Sequence, residues 1–245
     1  MKLAIIADIH EDIISLKHAI RKIEKNNCDK IICLGDISGF SVPHYSHQKT
    51  RNAHECLEII KQNCEIIIIG NHDLFAVKKL PENNQKFKYP SNWYELDYDE
   101  KLKKSNGLIW LYDNDELNPL YTKKDIEFLL TLPEFYILKT EKYNILLTHY
   151  LYPDITGSSK QFLEKLSDFK EHFEFMKTNN CQISICGHAH KKNIFVALKN
   201  KIIQPAFKKL KLPTELAIIL SPPIVNSNGF LIFDTDNFKL ERKRI

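Results

Sequence analysis

Arginine is scarce in this chain. Among 35 basic residues only Arg21, Arg51, Arg242 and Arg244 are arginines; the rest are lysines. Proteins that read base sequence rely on arginine forks, so nucleic-acid recognition receives no direct support. The lysines are spread along the chain and the formal net charge is only +4, a mild excess that favours anionic substrates without specifying one. Cysteine occurs at six positions (28, 33, 56, 64, 181 and 186) but never as a C-x-x-C pair. That spacing argues for free thiols rather than a disulfide framework, with Cys33 and Cys186 acting as small core residues inside apolar runs. Long hydrophobic runs are missing too. The first, Leu3 to Ala7, is too short for a signal peptide and far too short to span a membrane, so a cytoplasmic protein is expected. No internal repeat or low-complexity tract stands out, and nothing marks a break, so residues 1–245 are expected to form one domain.

What is present is a series of short apolar runs. Residues 2–7 read as a buried strand ending at Asp8, and Ile13, Leu16, Ala19, Ile20 and Ile23 then form a helical stripe over residues 12–26. Asp29 to Leu34 is a second strand, Ala53 to Asn63 a helix, and the β-branched run Ile66 to Ile69 a fully buried strand. This alternation is the βαβ pattern of a parallel sheet. From about 78 to 123 the pattern degrades, and the segment reads either as plain helical padding or as a lid over the strand ends. Thr122 and Asp125 resemble a capping box opening a helix that runs to Leu132 before Pro133. Further on, Tyr143–Leu147 and Gln182–Cys186 are strands. Between them Phe162, Leu163, Leu166, Phe169 and Phe173 line a long amphipathic helix from about 159 to 177, with His172 expected at the surface or rim. The runs Ile194–Leu198, Leu216–Leu220 and Phe230–Phe233, with a polar turn at Asp234–Asn237, predict a second, largely antiparallel sheet.

The chemistry lies at the ends of these runs. Asp8-Ile9-His10, Gly35-Asp36, Gly70-Asn71-His72-Asp73, Thr148-His149 and Gly187-His188-Ala189-His190 each follow an apolar segment, where a strand hands over to a loop. Carboxylates and imidazoles delivered from several strand ends are what a pair of divalent metals needs. Asp8 and His10 are two apart, so an extended backbone would point both side chains the same way, and His188 and His190 share that spacing. Asp36 has two oxygens with which to bridge two cations, Asn71 offers a neutral amide oxygen, and His149 another nitrogen. Any one of these residues alone reads as a structural histidine or a helix N-cap; the set of five motifs does not.

In order and composition the five blocks D-x-H, G-D, G-N-H-D, H and G-H-x-H resemble the calcineurin-like metallophosphoesterase superfamily, in its bacterial and archaeal phosphoesterase branch, over residues 4 to 190. The resemblance implies a four-layer α/β/β/α sandwich of two mixed sheets flanked by helices. It also implies two divalent metal ions, Mn²⁺, Fe or Zn²⁺: Asp8, His10 and His190 on the first, Asn71, His149 and His188 on the second, and Asp36 bridging. A hydroxide held between metals roughly 3.5–4 Å apart would attack phosphorus in line. His72 would act as general acid or stabilise charge on the leaving group, with Asp73 supporting the loop or orienting the imidazole.

The expected activity is therefore hydrolysis of a small phosphodiester or phosphomonoester. The alternatives are a dinucleotide polyphosphatase, a nuclease, a protein-phosphatase-like enzyme, or a catalytically silent metal-binding scaffold. Protein Ser/Thr phosphatases carry G-D-x-x-D-R-G and G-N-H-E, whereas this chain has Gly35-Asp36-Ile37-Ser38-Gly39-Phe40 and Gly70-Asn71-His72-Asp73. Many relatives carry Gly-Asn after D-x-H, where Glu11 and Asp12 stand here. Asp12 is expected to cap the first helix. Ser221-Pro222-Pro223 takes the place of an Asn-Pro-Gly-Ser segment. His44 and His47, in the loop after Asp36, read as substrate contacts or as solvated loop residues, and Arg51 as a phosphate clamp or a surface residue at a helix start.

Overall fold

Leu3, Ala4, Ile5 and Ile6 are apolar on both sides of the chain because the strand they form is covered on both faces. In the computed structural model, which describes residues 1–161, 165–204, 209–212 and 216–245, Lys2–Ile6 lies inside a six-stranded sheet. Lys30–Cys33 pairs parallel to it and Ile66–Ile67 parallel to that. On the other side Phe230–Asp234 and Lys239–Lys243 add as an antiparallel hairpin, followed by Lys209–Lys211. Phe230–Phe233 therefore belongs to the first sheet, beside Lys2–Ile6, and not to the second. Alternation identifies a strand; which strand it pairs with is set by long-range packing.

The second six-stranded sheet runs Ile202–Ile203, Phe195–Leu198, Ala217–Leu220, Ile183–Cys186, Asn144–Thr148, Phe135–Lys139. Its three central strands are parallel and its outer pairings antiparallel, so it is mixed rather than largely antiparallel. Leu3, Ile5 and Ile32 of the first sheet meet Ile145, Ile185 and Ile219 of the second in a shared core. Ala4, Ile6 and Cys33 face the other way, onto helices Ile13–Glu24 and Ala53–Asn63 and onto Leu129 of helix Lys123–Thr131. Leu146, Phe195 and Ile218 cover the outer face of the second sheet with Phe173 and Met176 of helix Lys170–Thr178. The result is the four-layer α/β/β/α sandwich, with both sets of parallel strands ending at one edge. Among the described residues no helix is long and apolar enough to cross a membrane.

Local signals hold at several helix starts. Asp12 caps the first helix by accepting from the Ser15 amide, and Thr122 and Asp125 form the reciprocal capping box. The helix expected over 159–177 is shorter. A 3₁₀ turn, Leu166–Phe169, leads into Lys170–Thr178, while Phe162 and Leu163 lie outside the described residues. Ser158 and Lys160 are tied instead to the backbone of Trp110 and Leu108, which excludes a helix there.

His172 is not at the surface; it is fully buried. Its Nδ1 accepts from the Tyr152 amide at 2.9 Å, so the proton sits on Nε2, which donates to Ser184 Oγ at 2.8 Å. Burial pushes its pKa down to about 3. Between pH 6.5 and about 3 the unfolded chain then binds a proton that the folded protein excludes, so this residue's stabilisation is complete above that window and is lost as pH falls. His172→Phe should be less stable than wild type at neutral pH. In denaturant melts the difference should shrink by up to about 1.4 kcal/mol per pH unit within the window. A pH-independent difference would mean that His172 titrates alike in both states.

A candidate dinuclear metal centre

The ligand-bearing loops do not continue their strands. Asp8, His10, Asp36, His188 and His190 all have left-handed φ, between 48° and 61°. Asp8 and His10 thus converge through a left-handed turn and not through strand alternation, and the same correction applies to His188 and His190. Left-handed non-glycine residues cost roughly 1–2 kcal/mol each. Backbone bonds offset the cost: the amides of Asp8, Ile9, His10 and Glu11 all donate to carbonyls of residues 35–37. At Gly70, a Cβ would lie 2.2 Å from Asp36 Oδ1, so only glycine lets the third strand end close on the second.

Asp36, with no solvent exposure, is the hub. Its Oδ1 accepts from the His72 amide at 2.9 Å. Its Oδ2 lies 3.0 Å from His149 Nε2, 3.9 Å from His72 Nε2 and 4.0 Å from His10 Nε2. To one side His10 Nε2 faces His190 Nε2 at 3.1 Å, and His190 Nε2 is 3.7 Å from Asp8 Oδ1. To the other, His188 Nδ1 is 3.0 Å from Asn71 Oδ1. The His188 amide donates to Asp8 Oδ1 at 3.0 Å. All seven residues singled out as ligands in the sequence are thus gathered at one place.

Backbone carbonyls aim two of the rings. His10 Nδ1 donates to Gly39 at 2.9 Å and His149 Nδ1 to Leu34 at 2.6 Å, which turns each Nε2 towards Asp36. Three triads, Asp8–His10–His190, Asp36–His149–His188 and His10–Asp36–His72, hold their donor atoms within 4.8 Å of one another. Among the described residues, Asp8 Oδ2 is buried without a hydrogen-bond partner, and Asp36 Oδ2 and His149 Nε2, equally buried, face only each other and the neighbouring imidazoles. Buried orphan acceptors of this kind are costly, and mixed imidazole and carboxylate donors suit divalent first-row metals. The residues fit such ions.

Asp36 also sets the charge of its neighbours. Burial alone would raise the pKa of Asp36, but His149 and His72 outweigh it and hold the carboxyl well below its usual range. Burial would lower that of His149, yet Asp36 pushes it up to about 9. His10 and His188 are driven down by burial and by their imidazole neighbours, which keeps them neutral donors.

His72 and Asp73 have separate surroundings. Asp73 accepts from the amides of Ile37, Ser38 and Gly70 and from Ser38 Oγ, so it braces two loops and does not touch the His72 ring. The ring is oriented by Glu116, whose buried carboxylate lies against His72 Nδ1. Burial would lower the His72 pKa, but Glu116 and Asp36 raise it to about 9. Glu116 belongs to Glu116–Leu117, a two-residue strand paired with Phe40–Ser41. Tyr112 comes from the same part of the chain and takes a hydrogen bond from Asn71 Nδ2, leaving Oδ1 to face His188. Neither residue carries a local signal, since 108–117 has no periodicity and no motif. That stretch is more than padding: Trp110, Tyr112, Asp115 and Glu116 line a cavity of about 470 Å³ over the cluster, with Tyr45, His44 and Asn226.

The remaining candidates divide. His47 bonds to the His10 carbonyl at 2.9 Å and so supports the cluster, whereas His44 lines the cavity. Arg51 is neither a clamp nor a free surface group; it forms a 2.7 Å ion pair with the buried Glu11. Glu11 is thereby turned away from the cavity. Residues 221–224 run beside the site, where the Ser221 amide bonds to Cys186 and that of Ile224 to Ala7.

Two facing mixed sheets with an Asp/His cluster at their strand ends, fit to hold divalent cations, define a metallophosphoesterase fold. The chain belongs to the calcineurin-like phosphoesterase family, whose family model matches residues 1–192. An uncharacterized protein of Methanocaldococcus jannaschii is 22% identical over 255 residues, spanning 99% of this chain and 86% of that protein. A metallophosphoesterase structure from Sphaerobacter thermophilus shares the fold with a TM-score of 0.65 at 17% identity, over 100% of this chain and 88% of that one. A hypothetical protein from Pyrococcus horikoshii does so at 0.61 and 13% identity, over 100% and 87%.

Proposed function

We propose that the chain hydrolyses phosphoesters with two divalent metal ions, and that it prefers diesters to monoesters. The observation that carries the dinuclear reading is Asp36 Oδ2, a fully buried carboxylate oxygen faced by imidazoles from three separate segments. Asp8, His10 and His190 would hold one ion, Asn71, His149 and His188 the other, and Asp36 both. Mn²⁺, Fe and Zn²⁺ all suit these donors. Such ions supply Lewis acidity and make a nucleophile available from water near neutral pH. The chain's own residues do the rest. The carbonyls of Gly39 and Leu34 fix two ligand rings, Tyr112 fixes the Asn71 amide, and Glu116 holds the His72 ring with Nε2 towards the cluster. From there His72 donates a proton to the leaving oxygen or stabilises charge on it.

The diester preference rests on the cavity lining. It contains the carboxylates Asp115 and Glu116 and the rings of Trp110, Tyr112 and Tyr45, but no lysine or arginine among the described residues. Either substrate is attracted by the metal ions, but the second negative charge of a monoester finds no lysine or arginine among the described residues of this lining to neutralise it, whereas the apolar rings suit the second ester group of a diester. The test is hydrolysis of bis-p-nitrophenyl phosphate and p-nitrophenyl phosphate by chelator-stripped protein as Mn²⁺ is titrated back. Activity should return with metal, with kcat/KM at least about tenfold higher on the diester, the ratio worth roughly 1.4 kcal/mol. A monoester preference would overturn the substrate reading. Metal binding without turnover of either would point to a silent scaffold.

A further inference from the structure

A second concavity, of about 370 Å³, adjoins the metal cleft and differs from it in charge. Its walls carry Lys192, Arg242 and Arg244 with the polar groups of Asn193, Ser227 and Asn228, and no Asp or Glu side chain lines it among the described residues. The same two stretches of chain line both concavities. Lys192 follows His190 by two residues and Ser227 follows Asn226 directly, and both His190 and Asn226 line the cleft.

Arg242 is built into the structure and is not a mobile surface group. It is 7% exposed, and its guanidinium donates to Asn193 Oδ1 at 3.1 Å and to the Asn228 carbonyl, while Nε has no partner. Among the described residues none of Lys192, Arg242 and Arg244 forms an ion pair, and the acidic neighbour Glu241 is engaged by Lys209 and Lys243. Ile245, whose terminal carboxylate forms no ion pair with these groups among the described residues, also lines the concavity. A buried guanidinium beside two further cations without a direct ion pair is stabilised when an anion joins it. Guanidinium and ammonium donors around one concavity match the tetrahedral oxygens of a phosphate. The lining of the cleft above the metal ligands holds no lysine or arginine among the described residues, so beyond the metal site itself the side-chain cations available to a second phosphate are concentrated here.

We propose that this concavity binds a second phosphate group, carried on the same substrate whose phosphoester bond occupies the metal cleft. The proposal rests on the phosphoesterase reading and narrows it to substrates with a remote phosphate. It is tested with the full chain and with Lys192→Ala/Arg244→Ala, both exposed positions where truncation does not threaten folding. In the first arm, inorganic phosphate is titrated into chelator-treated protein and followed by NMR of backbone amides and arginine Nε–H groups. Wild type should show shifts at Arg242 and its neighbours, and the variant should bind about tenfold more weakly or less, as charge-assisted contacts predict. Equal binding by both proteins overturns the site. In the second arm, metal-loaded protein hydrolyses thymidine 5′-(p-nitrophenyl phosphate) with and without a 3′-phosphate. A kcat/KM preference for the 3′-phosphorylated substrate that collapses in the variant supports a substrate-borne phosphate. Phosphate binding that the variant loses, without any such preference, overturns that assignment in favour of a free anion. If neither ester is turned over, the phosphoesterase reading fails with it, while the NMR arm still decides whether the site exists.

Discussion

Asp36→Asn is expected to weaken both metal ions together. The asparagine keeps an oxygen for the His72 amide, which Asp36 Oδ1 now holds at 2.9 Å. Its NH₂ group then falls where Oδ2 stands, within 3.0–4.0 Å of three imidazole nitrogens. A donor replaces a charged acceptor at the point where the two donor sets meet. Changes to outer partners of metal ligands already cost about 10–100-fold in affinity, so loss of a shared ligand should cost more than about 100-fold at both positions. Activity should fall in parallel and should not recover with excess Mn²⁺. The measurement is metal stoichiometry by plasma mass spectrometry after dialysis, alongside turnover. Retention of one full equivalent would refute the shared role. Folding is not at issue in the same way, because the hydrogen bond that joins the two loops survives.

The second large effect separates His72 from the ligands. His72→Ala should lower kcat by about 10²–10⁴-fold, the usual worth of a positioned acid, with metal content close to wild type. A loss of metal would make it a ligand, a role that the triad His10–Asp36–His72 also permits by distance. Glu116→Gln should reproduce part of the loss, about 10–100-fold in kcat, again with metal retained. The amide can still accept from Nδ1, but the charge that stabilises a protonated ring is gone. Because Glu116 raises the His72 pKa to about 9, the variant should lose activity at lower pH than wild type on the alkaline limb. An unmoved alkaline limb with reduced kcat would leave Glu116 a purely structural prop. Gly39 belongs to the same contact: a Cβ there would lie 2.5 Å from the His72 ring, so the loop can pass beneath the imidazole only as glycine.

Much of this was legible in the residues alone because it is local. Strands and helices were readable where apolar residues keep a period of two or 3.6, as at Ile13–Ile23, and capping followed from single polar residues such as Asp12 and Thr122. Each of the motifs bearing Asp8, His10, Asp36, Asn71, His149, His188 and His190 closes an apolar run, and the parallel strands of each sheet end at a common edge, which gathers the motifs sheet by sheet; the facing of the two sheets then brings both sets together. Their backbone was misjudged: alternation along an extended chain was the expectation, and left-handed turns bring them together instead. Conformation of that kind is imposed by contacts with residues 35–37, which no i, i+2 spacing reveals.

What the sequence by itself determined is most of the element types and the chemical identity of the cluster, encoded by short-range pattern, while the four-layer architecture was implied by the resemblance those motifs carry. Only the tertiary structure decided that Phe230–Phe233 joins the first sheet, that His172 is buried, that Arg51 is consumed by Glu11, and that Glu116 and Tyr112 complete the site. It alone drew Lys192, Arg242 and Arg244, 50 and more residues apart in part, into one concavity. The reason is common to all of these. Each depends on which distant surface a side chain meets when the sheets close, and that choice is made by the packing of the whole core rather than by any residue's neighbours in the chain.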